Sequence, residues 1–424
     1  MSIDESTFPD DDPDLPILDL TASDPWGVPD PGPTTLMAAL PTEQPPTLVE
    51  VHGRLGALTD PPAEILGEPE VSMPEALWSL GFKLGEHSVP VVVWVEEASQ
   101  EPHAHPSFAA DARWMVGVQT VLDPSDPLQT WTRLISVLHE LTGGMIALLD
   151  LETEQWFEGQ EVAAHLQGEG ATPEEGMLFR VHATSTTEQP ETAESVWLRT
   201  VGLLRCGRPE LELLEVPGKH VQTAHELLKA IGSLCIVRGV PNPGQPFEAG
   251  IGIDLSLQDW EEQAELLSPD SIGTRAHRVL LGGSEGPENP LLSGRAVICG
   301  AQPRGELREV FTWPIDSIQR LEHGDAAIER TRAWTAARSR HAQARWPILL
   351  EGLREGLMAR ACVAMEVPSG GREHVWVAVE DADAEQLSGS LLSSPASLDI
   401  QVGEHVQSTV DRVIDWALSR ESTP

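Results

Sequence analysis

The residues with the best chance of doing chemistry lie in the central third of the chain. His182, Arg199, Arg205, Cys206 and His220 fall on or beside three apolar runs, MLFRVHAT (177–184), SVWLRTVGL (195–203) and ELELLEV (210–216). An imidazole beside a thiol can act as base and nucleophile, and a guanidinium can hold the negative charge that develops. The groups are scattered, so a site would need neighbouring strands to bring them together. In an enzyme reading, His182, Arg199, Cys206 and His220 are the catalytic candidates.

Other spacings carry less. Two His-Glu pairs sit on helical patterns, HELTG (139–143) and HELLK (225–229). A zinc hydrolase needs a second His four residues after the first, and Gly143 and Lys229 occupy those positions. His103 and His105 in EPHAHPSF would point the same way in a strand, but no third ligand is identifiable. The flanking prolines suit a loop of ordinary histidines. The acidic DDDPD run (10–14) lacks the ligand spacing and closing Glu of a calcium loop. No GxxxxGK[ST] loop and no GxGxxG after a strand are present. Cys206, Cys235, Cys299 and Cys362 form no CxxC pair and read as small buried thiols. No metal and no cofactor is expected.

Two further features suit binding. Arg330, Arg332, Arg338, Arg340 and Arg345 face only Asp325 and Glu329 between 325 and 345, within a helical segment (326–346). Either this basic island binds an anion or acidic partner, or it pairs with the protein's own carboxylates; Arg338 and Arg340 are its binding candidates. Near the C-terminus, GREHVWVAVEDADAEQLSGSLLSSP (371–395) alternates with period two. Val375, Val377 and Val379 share one face; His374, Trp376 and Ala378 share the other. Glu373, His374, Trp376 and the later Trp416 are the candidates here: with the valines facing the core, Trp376 points outward, and an exposed aromatic is the kind of residue that dominates binding surfaces. A strand buried on both faces is the other reading.

These groups need elements to position them. TLVEVHGRL (47–55), SVPVVVWVEEA (88–98), ARWMVGVQTVL (112–122) and MIALLDLE (145–152) read as strands. DPSDPLQTWTRLISVLHELTGG gives the strongest helix, with Asp126 as cap, Pro127 in the first turn and Gly143 at the end. A helix at HVQTAHELLKAIG (220–232) precedes expected strands at SLCIVRGV (233–240) and FEAGIGIDLSL (247–257). A strand at GRAVICGA (294–301) follows the GGSEGPENP loop (282–290), and a helix is expected from Pro347. EHVQSTV suits a further strand and DRVIDWAL a closing helical turn with Trp416 inward. The fold class is therefore α+β and multi-domain: two mixed α/β sheet units, a helical segment and a small β-rich C-terminal module. The expected divisions are a disordered acidic tail (1–46), an N-terminal α+β domain (47–166), a central α+β domain (177–265), a connecting strand with Arg-rich helices (266–357), and the C-terminal module (358–424).

Charge sets the class of partner. The formal net charge is −40, from 67 acidic against 27 basic residues, only three of them lysine. Such a field repels phosphate backbones and anionic lipid surfaces, so neither nucleic acid nor membrane is expected as a partner. A basic protein partner fits it. MSIDESTFPDDDPDLP is no secretory signal, and the apolar run VPVVVWV (89–95) is far short of a membrane span, so a cytoplasmic location is expected.

The C-terminal module resembles a bacterial family known as domain of unknown function 2314. The likeness rests on EHVWVAV (373–379), LSGSLLSSP (387–395), VGEHV (402–406) and VIDW (413–416), with Glu373, Trp376, Gly389, Leu391, Pro395, Gly403, Asp415 and Trp416 at the matching positions. The centre of the chain resembles the companion domain of unknown function 4026 through MLFRVHAT, VWLRTVGLLRCGRPELELLEV and the Arg-rich helix, over roughly 45–420 in all. Arg199 and Val201 stand where that family more often has histidines. The resemblance implies a domain layout and no mechanism. Together these observations favour a non-catalytic binding or regulatory protein with a C-terminal docking module; the alternative is an enzyme whose site is assembled in the central domain.

Overall fold

The computed structural model describes residues 26–58, 62–69, 73, 75–99, 105–166, 173–185, 187, 189–259, 294–300, 314–366, 372–393, 395, 398 and 400–419. Three sheets organise them, and the chain is α+β.

The first sheet has seven antiparallel strands: β1 (Pro33–Leu40), β2 (Ala63–Gly67), β3 (Trp78–Leu84), β4 (Val91–Glu97), β5 (Trp114–Val121), β6 (Ala147–Asp150) and β7 (Gln155–Glu158). Their order is β2-β3-β4-β5-β1-β6-β7. β1 lies inside the sheet, paired with both β5 and β6. The expected disordered tail therefore ends well before residue 46, and its residues 1–25 lie outside the described residues. TTLMAAL shows no alternation because both faces of β1 are buried. Leu36, Ala38 and Leu40 enter the main core, and Met37 and Ala39 enter a second cluster on the opposite face.

The expected strand at 47–55 is instead helix α1 (Leu48–Ala57). A capping box decides it: the Thr47 hydroxyl accepts from the Glu50 amide, and the Glu50 carboxylate accepts from the Thr47 amide. Helix α2 (Pro127–Thr142) follows its sequence signals, with Asp126 accepting from the Gln129 amide and Gly143 left-handed at the end. Helix α3 (Gly159–Leu166) completes this unit.

The second sheet contains β8 (Arg180–Ser185), β9 (Val196–Val201), β10 (Glu210–Val216), β11 (Pro246–Ile251), β12 (Ile253–Asp259), β13 (Arg295–Gly300) and β14 (Ala327–Ile328). The order is β14-β11-β12-β13-β10-β9-β8, with β10 and β13 parallel and the other pairs antiparallel. The 266–357 segment, expected to be a connection, thus contributes two strands to this sheet. Helix α4 (Val221–Arg238) covers one face. SLCIVRGV is the second half of this helix rather than a strand. Residues 233–236 are all buried, and so short an apolar run carries no periodicity to separate helix from strand; Val237 and Arg238 at the helix end are exposed. Gly232 admits the Phe179 ring, which would lie 2.6 Å from an added Cβ. Helix α5 (Ile315–His323) packs beside α4.

One core runs through both units, from Leu36 and Trp131 to Phe179, Leu198 and Ile298. A buried ion pair crosses the same boundary. Arg205 donates to both Asp150 oxygens at 2.9 and 2.6 Å and to the Leu178 carbonyl. Both side chains are at most 1 % exposed.

The third sheet is antiparallel and five-stranded, ordered β18-β17-β16-β15-β19. Its strands are β15 (Met358–Glu366), β16 (Arg372–Ala382), β17 (Gln386–Leu391), β18 (His405–Thr409) and β19 (Val413–Ser419). VIDWALS is a strand paired with β15, not the expected helical turn. Helices α6 (Arg332–Ala344) and α7 (Trp346–Arg354) pack against this sheet, and Ala342, Trp346 and Leu349 join its separate core.

Candidate functional site

β8 is the end strand of the second sheet, and its register with β9 places His182 opposite Arg199. Residues opposite each other in a pair share a face, so Arg180, His182 and Arg199 stand together on the side away from α4. The Arg180 Nε lies 2.5 Å from His182 Nε2, and one of its terminal nitrogens lies 3.3 Å from Nδ1. Burial, then the guanidiniums of Arg180 and Arg199, push the imidazole below its ordinary range and outweigh the more distant Glu154. The Arg199 guanidinium lies 5.2 Å from the Trp197 ring centre. Trp197 in turn donates to Glu212 at 2.8 Å, and Arg295 donates to the other Glu212 oxygen at 2.5 Å.

The remaining catalytic candidates do not join this pair. Cys206 lies in the turn after β9, while His220 lies beyond β10, near the opposite end of the antiparallel β9–β10 pair. Cys206 is fully buried in the apolar core, and burial pushes its thiol up to about 12, where it is inert. Cys235, Cys299 and Cys362 are also buried, free and pushed up to about 12. His220 ties α4 to α5 through Glu322 at 2.9 Å. His139 and Glu140 line a groove of about 220 Å³ with Ser136, Ala163 and Leu166. His105 bonds the Ser99 carbonyl at 3.0 Å, and His103 lies outside the described residues. Among the described residues no three His, Cys, Asp or Glu are grouped to hold a metal. Among them, too, no helix is long and apolar enough to cross a membrane.

In the third sheet the valines face the core. Val375, Val377 and Val379 are buried with Ala361, Val363 and Leu391. Glu373 is buried on that same side of β16. Trp376 and His374 lie on the opposite face and are half-buried, Trp376 packing with Trp334 of α6 against the buried Cys362, Ala364 and Ile414. The Arg360 guanidinium, on the neighbouring strand, lies 5.0 Å from the Trp376 ring centre. Ser390, Glu380, His405 and Asp415 continue this face by register. Trp416 sits on the core side and donates to the Ala342 carbonyl at 3.1 Å, which joins β19 to α6.

Residues 354–424 match the family described as "Uncharacterized protein conserved in bacteria (DUF2314)". The DUF2314 segment therefore contains all five strands of the third sheet. Residues 181–290 match "Protein of unknown function (DUF4026) C-terminal", a stretch that starts in β8 and includes His182 and Arg199. The likeness expected over roughly 45–420 is thus found in two blocks. No curated protein and no solved structure matches the chain.

The Arg-rich helix α6 precedes the DUF2314 segment and joins it to the second sheet unit. Thr331, its N-cap, accepts from the Trp334 amide and donates to buried Glu175 at 2.7 Å. Arg338 lies 3.2 Å from Glu174, and Arg330 donates to Glu226 at 3.0 Å. A hydrogen bond from His225, then the Arg330 charge, overcome burial and hold the Glu226 carboxyl at about 2. Trp334 lies between Arg330 and Arg338, 4.8 and 5.6 Å from their guanidiniums, and its ring centre is 5.7 Å from that of His374. Arg340 is half-buried on the same helix.

Proposed function

We propose that the chain is a non-catalytic binding protein, and that the outward face of the DUF2314 sheet docks a basic protein partner. The observation that carries the reading is Trp376, half-buried beside Trp334 on the sheet face opposite the valines, with the exposed Arg360 guanidinium stacked on it. Tryptophan and arginine are the residues that most often dominate a binding interface. Charge supplies the partner's chemistry: residues 354–424 hold twelve acidic against five basic residues, within a chain of net charge −40. Many of the protein's own cations are consumed internally, as at Arg205, Arg295, Arg330 and Arg338. The acidic excess therefore faces outward and favours a basic surface. The enzyme reading requires His182, Arg199, Cys206 and His220 to converge, and only the first two are neighbours.

The test compares wild type with W376S and R360S as immobilised baits in lysate of the source bacterium, followed by salt elution and mass spectrometry. Unchanged thermal melting establishes that each variant is folded. A basic protein that elutes with salt and is held at least about 30-fold more weakly by W376S is expected, corresponding to a hot-spot loss of about 2 kcal/mol. Equal retention of the same proteins by all three baits overturns the proposal.

A further inference from the structure

We propose that Arg180, His182 and Arg199 form a binding site for a tetrahedral oxyanion, a phosphate or phosphomonoester group. The site goes beyond the docking reading and lies on a different sheet.

Arg199 is the central observation. Among the described residues its buried Nε has no hydrogen-bond partner, and no ion pair engages its guanidinium. In a chain with 67 carboxylates for 27 basic residues, an unpaired, half-buried arginine is unexpected unless its partner comes from outside. The carboxylate across the sheet from it, Glu212, is already held by Trp197 and Arg295. The Trp197 ring beneath the guanidinium keeps the fork in place.

Arg180 supplies a second guanidinium on the adjacent strand. Among the described residues its one carboxylate contact is Glu154 at 3.8 Å, on a side chain 79 % exposed; its other contacts are His182 and, at 3.4 Å, the Glu154 carbonyl. Glu154 is therefore a weak occupant that water or a ligand displaces. His182 stands opposite Arg199 and beside Arg180. The two forks stand on neighbouring strands and share one face of the sheet. That arrangement suits oxygens set at the corners of a tetrahedron better than a planar carboxylate, which one fork satisfies. The imidazole accepts from Arg180 and holds that guanidinium beside Arg199.

Isothermal titration with inorganic phosphate, and separately with glycerol phosphate, tests this at an ionic strength held constant with sodium chloride. Wild type is expected to bind at least one of them at a single site. R199Q and R180Q are each expected to bind at least tenfold more weakly while melting at the wild-type temperature. R332Q, which removes an exposed arginine on α6, is expected to bind as wild type does. Tighter binding of the ester identifies a phosphorylated metabolite as the source; equal or weaker binding identifies the free ion. Absence of binding to wild type, or R199Q binding as tightly as wild type, overturns the proposal.

Discussion

At the scale of single residues, burial decides which charged groups are structural. Arg205 and Asp150 neutralise each other in a dry boundary between two sheet units, and the Leu178 carbonyl accepts from the same guanidinium. Removing one partner strands the other charge, so R205A is expected to lose about 3–5 kcal/mol, read from the urea midpoint. Replacing both, as in R205M/D150L, is expected to cost much less, since no buried charge remains. Of the sequence candidates, the pairing of His182 with Arg199 was legible, because adjacent strands in an antiparallel order can bring such residues together. The separation of Cys206 from His220 was not. Nothing in SVWLRTVGL or ELELLEV says that the turn carrying Cys206 and the turn carrying His220 lie at opposite ends of one strand pair. Arg205 passed as a possible catalytic group because its partner is 55 residues away.

At the scale of elements, the legible pieces are those whose signals are local. Helix α2 has its cap, its first-turn proline and its terminal glycine in the sequence, and it forms where they place it. Helix α1 carries an equally local signal in Thr47 and Glu50, but the alternation of Leu48, Val49 and Val51 suggests a strand. The capping box outweighs it. T47A removes that cap and is expected to cost about 1 kcal/mol, with the helix fraying first in amide exchange. β1 and residues 233–236 of α4 were obscured for a single physical reason: a stretch buried on all sides has no polar face, and periodicity requires one. β19 was hidden differently. Its pairing partner β15 lies about 50 residues earlier, and a seven-residue run reveals a strand only when its neighbour is known.

At the scale of the whole molecule, α6 is the connection that fixes the third sheet to the rest. Its Arg338 pairs with Glu174, Arg330 just before it pairs with Glu226 on the second unit, and its other side closes the core of the DUF2314 sheet. The basic island in the sequence is thus largely intramolecular at Arg330 and Arg338. These half-buried pairs are screened less by salt than the repulsion among exposed carboxylates. Raising sodium chloride from about 20 mM to about 0.5 M is therefore expected to raise the melting temperature by about 2–4 °C, the shift that about 1 kcal/mol produces in domains of this size. A fall over the same range would mean that the ion pairs, and not the net charge of −40, set the electrostatic balance.

The place of β1 inside the first sheet has a consequence for how the protein is made. A ribosome completes Leu40 about 110 residues before Asp150, the far end of the second strand that β1 needs. At about 5–20 residues per second, that is roughly 5–20 s of synthesis before the apolar ribbon, whose first partner is β5, has a neighbour on both edges. Chaperone demand on this nascent chain is therefore concentrated at its beginning. A premature stop codon before residue 114 removes both β5 and β6 and leaves the ribbon permanently unpaired, so such products are clients for degradation rather than small working domains.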